Sequence, residues 1–261
     1  MSGPRNINVI RNWAFSVVCR QVFFSCLVAG TTMVSTWAVP TSAATSISSP
    51  GLESIEESLS PHPGDPLSPF RLSLGASYEA VREVVGLRRQ GRLGARGDIY
   101  VHAALEKVRE SGTPLLPAPE GLRVVDGDLF FHQGGKSPLM EASLLVKATF
   151  TTDRAITVLE QWLGKPDFEV VLPGSMNLAV GWRTPGAYLL ATFSDLDVFQ
   201  LSAFCDQPSD LLAGSQIVLF EGLSQYSRQV DAGVPPAETR DRLEEVVRWV
   251  ETARKALHVV R

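Results

Sequence analysis

The chain has 261 residues, 44% of them hydrophobic and 20% charged, with 24 Lys and Arg against 28 Asp and Glu. That is enough apolar material for one packed domain or two small ones. A formal net charge of −4 argues against nucleic acid as a partner, because such binding rests on neutralising phosphates with a basic surface.

Charge is unevenly placed. No Asp or Glu occurs before Glu53, whereas Arg5, Arg11 and Arg20 precede an apolar run that starts at Val22 and continues, diluted by Thr31, Thr32, Ser35 and Thr36, to Val39. Small residues follow at Thr41-Ser42-Ala43-Ala44. Basic, apolar and small segments in this order match a secretory signal, with cleavage expected after Ala43 or Ala44. An uncleaved membrane anchor and an organelle transit peptide are the alternatives. The polar dilution speaks against a spanning helix, which needs roughly 20 strongly apolar residues. Removing the three leader arginines leaves 21 basic against 28 acidic residues, and Cys19 and Cys26 leave with them. Only Cys205 remains, in a strand-like apolar run, so neither an internal disulfide nor a zinc knuckle is expected. Residues 45–69 read as a flexible linker, since residues 41–70 hold eight Ser and five Pro with almost no apolar period. Residues 70–208 then form the folded α+β part, and 209–261 a helical tail.

Ser77 caps a short helix through Val85, with Val81, Val84 and Val85 on one face. Arg88 to Gly97 reads as a loop. Asp98 starts a second helix, on which Val101, Ala104, Leu105 and Val108 keep helical spacing to Gly112 and Pro114. Residues 113–121, with three prolines, make a stiff connection. Leu122 to Phe131 reads as a hairpin turning at Asp126-Gly127, a pair suited to the positive φ angles of a two-residue turn. A strand is expected over 143–150 and a helix over 153–163, with Ala155, Ile156, Leu159, Trp162 and Leu163 inward and Gly164-Lys165-Pro166 as its stop. Four strands follow, Phe168–Leu172, Asn177–Arg183, Ala187–Phe193 and Val198–Cys205. Their short connections make an antiparallel meander. Ser209 caps a helix bearing Leu219, Phe220, Leu223 and Tyr226. A last helix carries Leu243, Val246, Val250, Ala253, Leu257 and Val260 at 3-4-3-4-3 spacing, with Glu244/Arg248 and Glu251/Lys255 as i,i+4 pairs. The predicted class is therefore α+β: an antiparallel β-meander with short packing helices and a C-terminal helical hairpin.

Residues 150–205 resemble one repeat of the BamE-like and beta-lactamase-inhibitor-like group of small exported α+β modules. The likeness is carried by Trp162-Leu163-Gly164-Lys165-Pro166-Asp167, Val180-Gly181-Trp182, Tyr188 to Phe193 and Val198 to Ser202. Phe70 to Gly86 resembles the opening helix of such a module. The match covers about a third of the chain and rests on turn and packing residues. The helix segments differ in length, and the helical tail falls outside those modules. What the resemblance implies is a binding or accessory role on an exposed sheet, without catalysis.

Motifs of chemistry each have a simpler explanation. Gly134-Gly135-Lys136-Ser137 resembles the end of a phosphate loop, but Phe130 stands where the first glycine belongs. Arg96-Gly97-Asp98 is explained by capping at a loop–helix junction. His62, His102, His132 and His258 have no second ligand at metal spacing. Asp126/Asp128 and Asp195/Asp197 sit in predicted turns, where Asp is favoured. No Gly-x-Ser-x-Gly elbow occurs. Hence no catalytic residue, metal ligand or cofactor is assigned. The candidate binding residues are Trp182, Arg183 and Tyr188, because aromatic residues and Arg concentrate interface energy. Trp182 continues the Leu178/Val180 core face, while Arg183 and Tyr188 reach the other face. The sequence thus reads as an exported binding or accessory protein (periplasm, cell envelope or secreted) with an unidentified protein partner. Membrane contact enters only if the leader stays uncleaved, and self-association would use the C-terminal helix. Two alternatives stay open: an enzyme with a site assembled from His132, Asp128 and Lys136, and an assembly factor imported into a mitochondrion or plastid.

Overall fold

The structure, a computed structural model, describes residues 65–95, 97–105, 116–134, 137–172, 177–194 and 197–259. Residues 1–64, which include the stretch read as a leader, residues 106–115, Lys136 and Asp195 lie outside them. A 3-10 turn at Ser68–Phe70 leads to helix α1 (Tyr78–Val84) and strands β1 (Leu87–Ala95), β2 (Asp98–Leu105), β3 (Leu122–His132) and β4 (Leu139–Ala148). Helix α2 (Thr152–Leu163) and strands β5 (Phe168–Val171), β6 (Leu178–Thr184), β7 (Ala187–Phe193) and β8 (Val198–Cys205) repeat that pattern. Helices α3 (Leu211–Asp231) and α4 (Pro236–Lys255) and a two-residue strand β9 (His258–Val259) complete the chain.

All strand pairs are antiparallel, in the order β5-β6-β7-β8-β4-β3-β2-β1-β9. A helix followed by a four-stranded meander therefore occurs twice. The two meanders join at their last strands, with Ser143 opposite Ser202 and Leu144 opposite Leu201. Helices α1 and α2 cover one face of this sheet. Val81, Ile156 and Leu159 pack there with Val101, Leu129, Phe131, Leu144, Val146, Trp182 and Leu201. Helix α3 lies on the other face over β4 to β8, where Phe220, Leu223 and Tyr226 meet Phe168, Val170, Tyr188, Leu190 and Phe204. Helix α4 packs against α3 through Leu243. Residues 65–69, read from composition as the end of the linker, are part of the packed structure: Leu67 is fully buried.

The α+β class, the 168–205 meander and the helical hairpin match the expectation. Ser77 caps α1 by accepting from the Ala80 N–H at 3.2 Å, and Gly164 ends α2 at φ +81°. Val84, expected inward, is exposed. Four local readings are corrected. Residues 88–97 are mainly strand β1, and its arginines sit on a solvated edge rather than in a loop. Asp98 starts strand β2, not a helix; Val101, Ala103 and Leu105 alternate into the core, a period of two that the 3-4 spacing had masked. Asp126-Gly127 makes no turn, because β3 runs straight through it with a register shift between Val124 and Asp126. Gly127 is there for space: a Cβ would lie 2.8 Å from Leu105 and 2.9 Å from Leu144. The last helix stops at Lys255, after which His258 and Val259 pair with Gly94 and Leu93 of β1. Smaller shifts are a β4 that begins at Leu139 and an α3 capped by Asp210, whose carboxylate accepts from the Leu212 and Ala213 N–H groups at 3.0 Å each. Glu244 pairs with Arg240, while Arg248 Nε donates to the Glu244 carbonyl.

Candidate functional site

The face of the sheet that carries α3 holds three polar constellations. The first lies at the edge of β6 and β7. Arg183 and Tyr188 are cross-strand partners. The Arg183 guanidinium sits 5.4 Å from the Tyr188 ring centre and pairs with Glu221 of α3. Asp167 accepts from the Arg183 backbone N–H at 2.6 Å. Tyr188 stacks on Phe204 and meets Phe220 edge-on. Burial raises its hydroxyl pKa, with Asp206 adding to the effect. Trp182 does not share this surface. It faces α2, is 1% exposed, and its Nε1 donates to the Gly164 carbonyl at 3.0 Å. Of the three candidate binding residues, the fold brings Arg183 and Tyr188 together but leaves only Arg183 exposed: Tyr188, 6% exposed, is buried under α3, and Trp182 is buried on the opposite face.

The second constellation is a buried ion pair under the helical hairpin. Glu141 of β4 is 2% exposed and Arg254 of α4 has an 11% exposed side chain. The Arg254 NH2 group donates to both Glu141 carboxylate oxygens at 2.9 and 2.8 Å, and Gln216 of α3 donates to one of them at 2.5 Å. A carboxylate in an interior of this kind is stable only with such partners. Beside it, Leu212 at the start of α3 donates to the Tyr100 hydroxyl at 3.4 Å. Burial, reinforced by Asp210, pushes the Tyr100 hydroxyl well above its ordinary pKa.

The third constellation crosses β2, β3, β4 and β8. His102 bonds Asp128 at 2.9 Å and stacks on Phe130, with ring centres 4.8 Å apart and planes 8° from parallel. Ser143 stands opposite Asp128 on one side and Ser202 on the other. Gln200 donates to the Ser143 hydroxyl at 2.9 Å. Lys147 and Asp197 pair at 3.0 Å where the ridge meets solvent. His, Asp and Ser are therefore neighbours, but in the wrong order for a nucleophile. The carboxylate stands between imidazole and hydroxyl, and two strand spacings separate His102 from Ser143, roughly 10 Å. Activation of a serine needs the base within about 3 Å. The arrangement instead offers donors, acceptors and an aromatic face at fixed spacing.

The enzymatic alternative fares differently. His132 lies 3.5 Å from Asp98 and meets Tyr100 edge-on, whereas Asp128 belongs to His102. Four strand residues separate His132 from Asp128, roughly 13 Å, and Lys136 lies outside the described residues. Cys205 is buried, and burial with nearby Asp210 and Asp65 pushes its thiol up to about 12. Among the described residues no group of three His, Cys, Asp or Glu side chains is placed to hold a metal ion, and no described helix is long and apolar enough to cross a membrane.

Sequence reasoning did not find the His102–Asp128 or Glu141–Arg254 pairs, whose members are 26 and 113 residues apart. One signal was available for the second. Glu141 interrupts the apolar run Leu139 to Val146, and a buried acid in a strand requires a partner from elsewhere. No family model, curated protein or solved structure shows significant similarity to the chain.

Proposed function

We propose that this is an exported, non-enzymatic binding or accessory protein that acts through a protein–protein surface. The observation that carries the reading is the third constellation. A rigid sheet presents His102, Phe130, Asp128, Ser143 and Gln200 as a half-buried polar and aromatic ridge beside the helical hairpin. Polar groups already held in pairs lose little side-chain freedom on binding, so such a surface favours recognition. The acid-free leader supports export. The twofold occurrence of a helix and a four-stranded meander supports the likeness to small exported modules, though fold alone does not deliver function.

The test is site-directed photo-crosslinking of the mature chain in its own cell extract, with the photoreactive residue at Gln200 or Arg183. A defined protein partner attached at these positions is the expected result. Hydrolysis of an ester, peptide or glycoside panel by the purified protein, lost in His132→Ala, overturns the reading. The Arg content and Ser/Thr dilution of the leader favour a second reading, an imported organelle assembly factor. N-terminal sequencing separates the two: cleavage at Ala43 or Ala44 supports export, and removal elsewhere by an organelle processing protease supports import.

A further inference from the structure

Strand β1 stands at one end of the sheet, and its outer side is only partly used. Strand β9 pairs with Leu93 and Gly94; among the described residues nothing pairs with the outer side of Leu87 to Arg92. This six-residue edge carries Arg88, Arg89 and Arg92, all exposed. No described carboxylate forms an ion pair with any of the three. A register shift between Arg89 and Gly91 decides where they point. Arg89 and Arg92 lie opposite Ala103 and Val101, residues of the α1/α2 side, while Arg88 lies opposite Ala104 on the other side. With its amide turned, Gln90 accepts from Arg88 Nε at 3.0 Å and from its Nη2 at 3.1 Å. Among the described residues the edge therefore offers unpaired backbone groups in the middle and positive charge on both sides, on a chain whose net charge is −4.

We propose that the Leu87–Arg92 edge of β1 is a docking strand for an extended acidic segment of a partner protein. This deepens the proposed function and rests on it. An added strand satisfies the open backbone donors and acceptors. Its alternate side chains then stand beside Arg89 and Arg92, where carboxylates find fork-shaped donors. Nucleic acid could meet the same arginines but leaves the backbone groups unpaired, and the acidic remainder of the chain repels it. Edge arginines also serve simply to prevent strand-to-strand aggregation, and the experiment distinguishes this.

The probe is a fluorescein-labelled eight-residue peptide of alternating Glu and Thr, titrated into the mature protein and followed by anisotropy. Binding with a Kd of about 10–100 µM is expected. Arg89→Glu/Arg92→Glu should weaken it at least tenfold, with the fold checked by circular dichroism. A peptide N-methylated at alternate residues should also bind at least tenfold more weakly, since it lacks the backbone donors. Equal binding of the N-methylated peptide, or tighter binding of a single-stranded oligonucleotide, makes the edge a general anion surface and overturns the proposal. No peptide binding, together with self-association of Arg89→Thr/Arg92→Thr, makes the arginines guards against aggregation and also overturns it. A partner cross-linked at Gln200 or Arg183 despite either result leaves the broader binding function standing, so the two failures are distinguishable.

Discussion

Arg254→Met tests how α4 is held to the sheet. The substitution keeps most of the side-chain volume and removes the guanidinium that meets both Glu141 oxygens. Glu141 is 2% exposed, so its carboxylate is left in the interior with Gln216 as its remaining described side-chain partner. Breaking a buried pair on one side costs about 3–5 kcal/mol. With a urea m-value of about 2 kcal/mol per molar, the midpoint should fall by about 1.5–2.5 M. Replacing both partners, Glu141→Met/Arg254→Met, removes the stranded charge and should recover most of that loss. Urea unfolding followed by tryptophan fluorescence measures both, with hydrogen exchange over Leu243–Lys255 as a local readout. Arg254 is the α4 side chain of the described ion pairs that reaches the sheet, so amides of α4 should lose protection before those of α3. A cost below about 1 kcal/mol for Arg254→Met would refute the reasoning, since it would place the pair among solvent-screened surface bridges.

Two further outcomes follow from the packing. Gly127→Ala puts a methyl against Leu105 and Leu144 and should cost about 1–3 kcal/mol; Gly127→Ala/Leu105→Ala should recover part of this in the same urea assay, whereas a turn glycine would show no such rescue. Cys205, with its thiol pushed up to about 12, carries about one part in 10⁴ thiolate at pH 8. Cys205 of the folded protein should therefore resist iodoacetamide at pH 8 until urea unfolds it, and modification of Cys205 in the native protein within minutes would contradict the burial. The linkage sign is that of an acid whose neutral form is favoured by folding: the unfolded thiol ionises first, so this contribution is full below pH 9 and is lost as pH rises towards 12.

Legibility along the chain followed the strength of local signals. Helices α1 and α2 were readable because apolar period and stop agree within one segment, as in Thr152–Leu163 followed by Gly164, whereas α4 was readable from its apolar period alone and its end was misplaced beyond Lys255. The β5 to β8 meander was readable because two-residue breaks such as Pro185-Gly186 separate short alternating runs. The first meander was not. Over eight residues, Asp98–Leu105 fits a helical stripe as well as a strand, and Asp-Gly signals a turn unless a neighbour needs the space of a missing Cβ. At Gly127 the neighbours are Leu105 and Leu144, which lie 22 and 17 residues away.

By itself the amino-acid sequence determined the α+β class, the second meander, the helical hairpin and the absence of acidic residues before Glu53, because each rests on composition or on spacing within about 20 residues. Only the tertiary structure decided that the meander occurs twice, that Arg183 and Tyr188 part company with Trp182, and that His102 meets Asp128. It also placed the arginines of β1 on an open edge and set Arg254 over Glu141, 113 positions away. The physical reason is common to these cases. A strand has two faces and two edges, and which neighbour fills each is settled by pairing and burial across the sheet rather than along the chain.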